Sequence, residues 1–238
     1  MLPILQNNSS RQKIYNEWVK KSHQYFSKCK DEDFFSNKMH HIYFYCEVND
    51  ENVNRLNYEL QEASKTKIIN GVQETPKPIC LHLNSGGGSV ASENLFDVMI
   101  KMQRVPFCVI TENNTCSAAT MISLVAPYRL MIEHSMYLIH DMAGGSYEKS
   151  SNVIHSKHKY LQQWLTTYIP LLKERTKLID EEINMFIKRD IYLDDKYCKR
   201  KGIIDRILKI PKVNTPNKYN DKNKYSNVHL SLSNLLKK

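Results

Sequence analysis

The chain has 238 residues, 41% apolar and 25% charged, which is enough for one globular domain with its own core. No apolar run is long enough to cross a bilayer, and the start, MLPILQNNSS, lacks the basic-then-apolar pattern of a secretory signal. Residues 196–238 hold 12 Lys/Arg against 2 Asp/Glu, so the formal net charge of +9 belongs to the C-terminal end and the main body is nearly neutral. An intracellular, cytoplasmic protein without membrane contact is the expectation. Nucleic acid is expected only as a partner of the basic tail. The six cysteines form no C-x-x-C pair, and neither a disulfide scaffold nor a zinc spacing is present. His155 and His158 share a helix face but have no further ligand in view, so no metal and no cofactor are expected.

Residues 1–39 read as a polar N-terminal arm, helical or partly ordered, with scattered aromatics such as Tyr15 and Trp18. Ile42 to Cys46 suits a strand. Val53, Leu56, Leu60 and Ala63 make one helical stripe across 50–63, and Lys65 to Lys77 reads as a polar loop. The alternation then repeats. Ile79 to Leu83 is a buried strand, followed by a glycine turn and a helix over Ser89 to Arg104. Val105 to Thr111 is a strand, Ser117 to Ala126 a helix of small and apolar residues, and Met136 to His140 a further strand. Residues 150–177 carry a long helical pattern, and 180–189 and Asp195 to Lys201 two short helices, the last capped by Asp194. The region 211–238 is expected to be a disordered basic tail. Strand–helix alternation with short loops points to an α/β fold with parallel strands, whose sites form at the strands' C-terminal ends. Residues 40–210 form the expected domain.

Three stretches fall at those ends. Asn84-Ser-Gly-Gly-Gly-Ser89 lets a backbone approach a ligand and aim N–H groups at a phosphate or an oxyanion, or is a structural turn. It lacks the Lys-Ser/Thr of a Walker loop and does not fit G-x-G-x-x-G. Thr115-Cys-Ser117 places a hydroxyl at a helix start, as an N-cap or as a nucleophile, with Thr120 a rival three residues on. His140 closes an apolar strand, either as a structural residue or as a general base. An imidazole base needs a carboxylate to hold its tautomer. Asp141 would point to the opposite face, and spacing alone does not rank Asp190, Asp194 and Asp195.

These stretches, in this order, resemble the ClpP family of serine peptidases. The Asn-Ser-Gly-Gly-Gly-Ser turn, Thr115-Cys-Ser117, Leu138-Ile-His140 with Gly144 and Gly145, Arg189-Asp190, and Gly202-Ile-Ile-Asp205 match its motifs at near-family spacing. The similarity covers roughly Ile42 to Leu208. It implies a divergent member built from repeated strand–helix units of the ClpP/crotonase-like type, with a projecting helical handle at 150–177. It implies a serine endopeptidase of unfolded polypeptides, with Ser117 as nucleophile, His140 as base and Asp190 as its orienter. The oxyanion hole would be made by the N–H groups of Gly87, Gly88 and Ala118. It further implies a homo-oligomeric heptameric ring, stacked in pairs, and an AAA+ ATPase partner, with Asp194 a helix cap. The sequence departs from the family at Cys116, Asn114, Gly86 and Cys46. A catalytically idle ring subunit and a crotonase-like acyl-CoA enzyme are the alternatives.

Overall fold

The computed structural model describes residues 9–89, 105–140, 165, 166 and 168–210. Residues 90–104 of the expected helix, the first part of the handle, Asp141, Gly144, Gly145, His155, His158 and the basic tail lie outside the described residues.

The chain opens with helix α1 (Ser9–Phe26), a 3-10 turn (Asp31–Phe35) and strand β1 (His40–Phe44), then α2 (Asp50–Ala63). A short hairpin follows, β2 (Lys67–Ile69) and β3 (Val72–Glu74), then β4 (Ile79–Ser85) and β5 (Phe107–Cys116). Beyond come α3 (Ala118–Val125), β6 (Tyr128–Ile132) and β7 (Met136–Ile139). Residues 168–175 form α4. The chain then runs through α5 (Asp180–Lys188), β8 (Ile191–Asp194), α6 (Asp195–Arg200) and β9 (Arg206–Leu208).

Among the described residues the main sheet has seven strands; five run in the order β1-β4-β5-β6-β9, all parallel along that path, and β7 and β8 branch from β5. Strand β5 forks. Its first half, Cys108 to Thr111, pairs with β6, and its last residues, Asn114 to Cys116, pair with β7. Between the halves Asn113 takes φ 54°, the left-handed region that Asn tolerates better than most residues. Strand β8 then joins β7 antiparallel, so the sheet is mixed at this edge rather than wholly parallel.

Period-2 alternation divides the core. Ile79, Leu81, Leu83, Phe107 and Val109 fill one cluster with Val53, Leu56 and Leu60 of α2 and with α3. Cys80, Cys108, Ile110 and Leu130 fill a second with Phe26, Phe34 and Met39. The N-terminal segment, expected as a helical or partly ordered arm, contains a helix whose aromatics enter both clusters. Trp18 stacks on Phe107 at 5.7 Å and its Nε1–H donates to Val105 O at 2.8 Å. Tyr15 Oη–H donates to Val125 O at 2.9 Å. The polar loop expected at 65–77 contains the β2–β3 hairpin, turned by Asn70 (φ 51°) and Gly71 (φ 77°), the left-handed pair that a two-residue hairpin requires. Asp194 caps α6 as expected, accepting from Tyr197 N at 2.6 Å.

Candidate active site

The glycine turn leaves β4 in close contact with two neighbours. Val48 N–H donates to Gly87 O at 2.8 Å, and Ser89 N–H donates to Val48 O at 2.7 Å. This is a parallel bridge of Val48 with Gly88, in which Gly88's own N–H points to the opposite edge. Gly87 N–H is engaged by Ser85 Oγ at 3.2 Å, so of the two expected glycine donors it is Gly88 whose amide the turn leaves directed away from its neighbour. Gly87 sits at φ 98° and Gly88 at φ 144°, conformations that only glycine adopts readily. A Cβ on Gly87 would lie 2.6 Å from Ser117 Cβ and 3.2 Å from Ala118 N, so the turn and the start of α3 touch.

Ser117 occupies the sharp bend between β5 and α3 at φ 54°, ψ −127°. A side chain in that sparsely populated region costs about 1–3 kcal/mol and persists only where its surroundings over-determine it. Its side chain makes no capping hydrogen bond, so the N-cap role is not what the hydroxyl does. Its N–H is tied to Leu138 O of β7 at 3.0 Å. Thr120, the rival nucleophile, is fully buried and its hydroxyl is spent on Ser117 O at 2.5 Å and Tyr168 Oη at 2.6 Å. That excludes it as a nucleophile.

The histidine and its carboxylate are set by strand register. The antiparallel β7–β8 register ends with Ile139 opposite Ile191, and His140 and Asp190 are the next residues on the two strands. His140 Nδ1 lies 3.3 Å from Asp190 Oδ1, with the imidazole 17% exposed and the carboxylate 75% exposed. The other described carboxylates have different duties. Asp194 caps α6, and buried Asp195 accepts from His134 N at 3.1 Å and Lys196 N at 2.7 Å. Among the described residues no hydrogen bond joins Ser117 to His140.

An open cleft of about 430 Å³ lies against His140, lined also by Tyr45, Asn84, Asn114, Cys116 and Tyr192. Tyr45 and Tyr192 drew no attention in the sequence. Their only signal is their position at or next to a strand end, which means nothing until pairing order is known. Burial pushes the Cys116 thiol up, so the residue before Ser117 stays protonated and inert. Behind Tyr45 runs a hydrogen-bonded row: Ser36 O, His41, His82, Glu112 and Tyr45. His41 Nδ1 is 2.9 Å from His82 Nε2, and His82 Nδ1 is 2.6 Å from Glu112 Oε1. Burial raises the Glu112 carboxyl, but hydrogen bonds from His82 and Tyr45 outweigh it and hold the group below its ordinary value. Burial and the bond to Glu112 keep Tyr45 protonated. No group of three or more His, Cys, Asp or Glu among the described residues is arranged to hold a metal ion. No helix among them is long and apolar enough to cross a membrane.

Comparison with known proteins bears on the family and the fold. The family model described as Clp protease matches residues 36–211, so α1 lies outside the match. The ATP-dependent Clp protease proteolytic subunit 2 of Prochlorococcus marinus (strain NATL2A) is 28% identical over 142 residues, 58% of this chain and 70% of that protein. The ATP-dependent Clp protease proteolytic subunit of Nephroselmis olivacea is 30% identical over 138 residues, 55% of this chain and 63% of that protein. The solved structure of ClpP1 from Listeria monocytogenes superposes with a TM-score of 0.56 at 23% identity, covering 75% of this chain and 95% of that one. At that identity the structural likeness establishes the fold.

Proposed function

This chain belongs to the Clp protease family, and on that premise we propose that it hydrolyses peptide bonds of unfolded polypeptides with Ser117, His140 and Asp190 as its triad. The observation that carries the reading is the contact of His140 with Asp190 at the end of the β7–β8 pair, together with a strained serine whose hydroxyl caps nothing and whose N–H is bonded to Leu138 O of the same β7. The Asp190 contact at Nδ1 fixes the tautomer that leaves Nε2 free to take a proton. Ser117 attacks the peptide carbonyl as His140 takes the hydroxyl proton. The tetrahedral oxyanion is held by the N–H groups of Gly88 and Ala118. His140 then protonates the leaving amine, and water, deprotonated by the same imidazole, releases the acyl group. The bond between nucleophile and base forms as substrate fills the cleft, since catalytic hydrogen bonds tighten in the bound complex.

The relatives' names add an ATP-dependent setting. We take the working form to be a homo-oligomeric ring served by an AAA+ ATPase that delivers unfolded chain. The crotonase-like alternative gives way to the family match. The decisive experiment is labelling with a fluorophosphonate, with the native mass of the assembly measured alongside. Ser117 is the expected adduct site, and Ser117→Ala is expected to lose both labelling and peptide hydrolysis while assembling normally. Well-folded, assembled protein that resists the probe would mark this as an idle ring subunit.

A further inference from the structure

We propose that Thr120 is a positioning residue for the oxyanion site, aiming the Ala118 N–H through the Ser117 carbonyl, with Tyr168 as the outer support. The inference rests on the reading of Ser117 and Ala118 given above.

The peptide joining Ser117 to Ala118 is planar and trans, so its C=O and its N–H point in opposite directions and turn together. Whatever fixes the Ser117 oxygen therefore fixes the Ala118 hydrogen. Two donors converge on that oxygen, Thr120 N at 2.9 Å and Thr120 Oγ1 at 2.5 Å, which fills its two lone pairs. A threonine in a helix commonly bonds back to a carbonyl three or four residues earlier and has no further consequence. Here the carbonyl belongs to a residue outside the helix, at φ 54°, whose ψ sets the direction of the proposed donor.

The rest of the network holds Thr120 itself. Its hydroxyl proton goes to Ser117 O, so at the 2.6 Å contact Tyr168 Oη–H is the donor. Burial pushes the Tyr168 phenol up, which keeps that proton in place. Tyr137 Oη–H donates to Thr120 O at 2.9 Å. Thr120, Tyr137 and Tyr168 are all buried, so no water competes for these bonds. A donor to the carbonyl also polarises the amide and strengthens its N–H, an effect of the chained hydrogen bonds.

The test compares Thr120→Val, Thr120→Ser and Tyr168→Phe with the wild-type chain in its assembled form. A fluorogenic peptide amide reports turnover, and a peptide aldehyde, whose adduct oxygen occupies the oxyanion site, reports that site directly. Outright removal of one oxyanion donor costs about 10²–10³-fold, and a misaimed donor costs less. Thr120→Val should lower kcat by roughly 10-fold with KM little changed, and weaken aldehyde inhibition by a similar factor. Thr120→Ser, which keeps the hydroxyl, should restore both, and Tyr168→Phe should fall between. The ascending limb of the pH–rate profile should stay in place, because His140 and Asp190 are untouched. Wild-type kcat and aldehyde affinity in Thr120→Val would overturn the inference. So would a loss that Thr120→Ser does not restore. Wild-type protein that neither hydrolyses peptide nor takes the fluorophosphonate would instead remove the underlying assignment, and this inference with it.

Discussion

Gly87 offers the sharpest test of how tightly the glycine turn is set against the start of α3. In Gly87→Ala the new Cβ would lie 2.6 Å from Ser117 Cβ, 2.7 Å from Cys116 O and 3.2 Å from Ala118 N. Carbon atoms normally sit about 3.5–4.0 Å apart, so the turn must move by roughly 1 Å. The residue also sits at φ 98°, where a side chain costs about 1–3 kcal/mol. Overpacking adds about 1–3 kcal/mol. A total loss of about 2–6 kcal/mol is expected in urea denaturation. The displaced atoms belong to the nucleophile and the Ala118 amide, and a 1 Å misplacement costs about 10²-fold in rate. Fluorophosphonate labelling of Ser117 should therefore slow about 100-fold in whatever fraction remains folded. Gly86→Ala supplies the comparison, because a Cβ there meets nothing within 4 Å. Its stability should stay within about 0.5 kcal/mol of wild type. If Gly87→Ala matched wild type in both denaturation midpoint and labelling rate, the close approach of turn and nucleophile would be wrong.

Three further expectations follow from separate parts of the molecule. Ser117→Gly should be more stable than Ser117→Ala by about 1 kcal/mol in thermal or chemical unfolding, since glycine accepts φ 54° without strain. Equal stability would refute the strain. Trp18→Ala removes a fully packed side chain and the donor to Val105 O, and should cost about 3–5 kcal/mol, whereas a loose arm would lose almost nothing. Glu112 is held below its ordinary value of 4.5, so its contribution to stability is complete above that pH and lost as pH falls through the lower folded value. The stability advantage of wild type over Glu112→Gln should therefore narrow as pH falls below 4.5 in acid titrations followed by circular dichroism. A constant difference across that range would mean that the His82 and Tyr45 bonds do not favour the carboxylate.

The parts of the fold that were legible are those with a clean period. The stripe Val53, Leu56, Leu60 and the apolar run at Ile79 to Leu83 each reveal their element without help. Strand β6 was hidden by Arg129, which looks like a surface residue. It is buried because Asp205, 76 positions on, accepts from its backbone N at 2.8 Å and from its guanidinium at 3.3 Å. Strands β8 and β9 are four and three residues long, too short for any period to register. The hairpin carried the Asn70-Gly71 signal, but its flanks are polar and masked it. At the site, the order of motifs pointed to Ser117, His140 and Asp190, and the structure brings the last two within 3.3 Å of each other. Nothing in spacing preferred Asp190 over Asp194 or Asp195, because that choice is made by which residue lies across from His140. Thr120 was misjudged as a rival nucleophile because a hydroxyl's burial depends on Tyr168, far along the chain.

The pairing of β7 with β8 has a consequence for tolerance to change. The contact between imidazole and carboxylate depends on main-chain alignment, not on long side chains finding each other, so most side-chain replacements along the ribbon leave it intact. An insertion of a single residue between Asp190 and Ile191 is different. It would carry the acid out of line with His140 while leaving the pairing of Ile191 to Asp194 with β7 in place. A relative that lost its activity by that route would still fold, and every motif residue would still be present in its sequence.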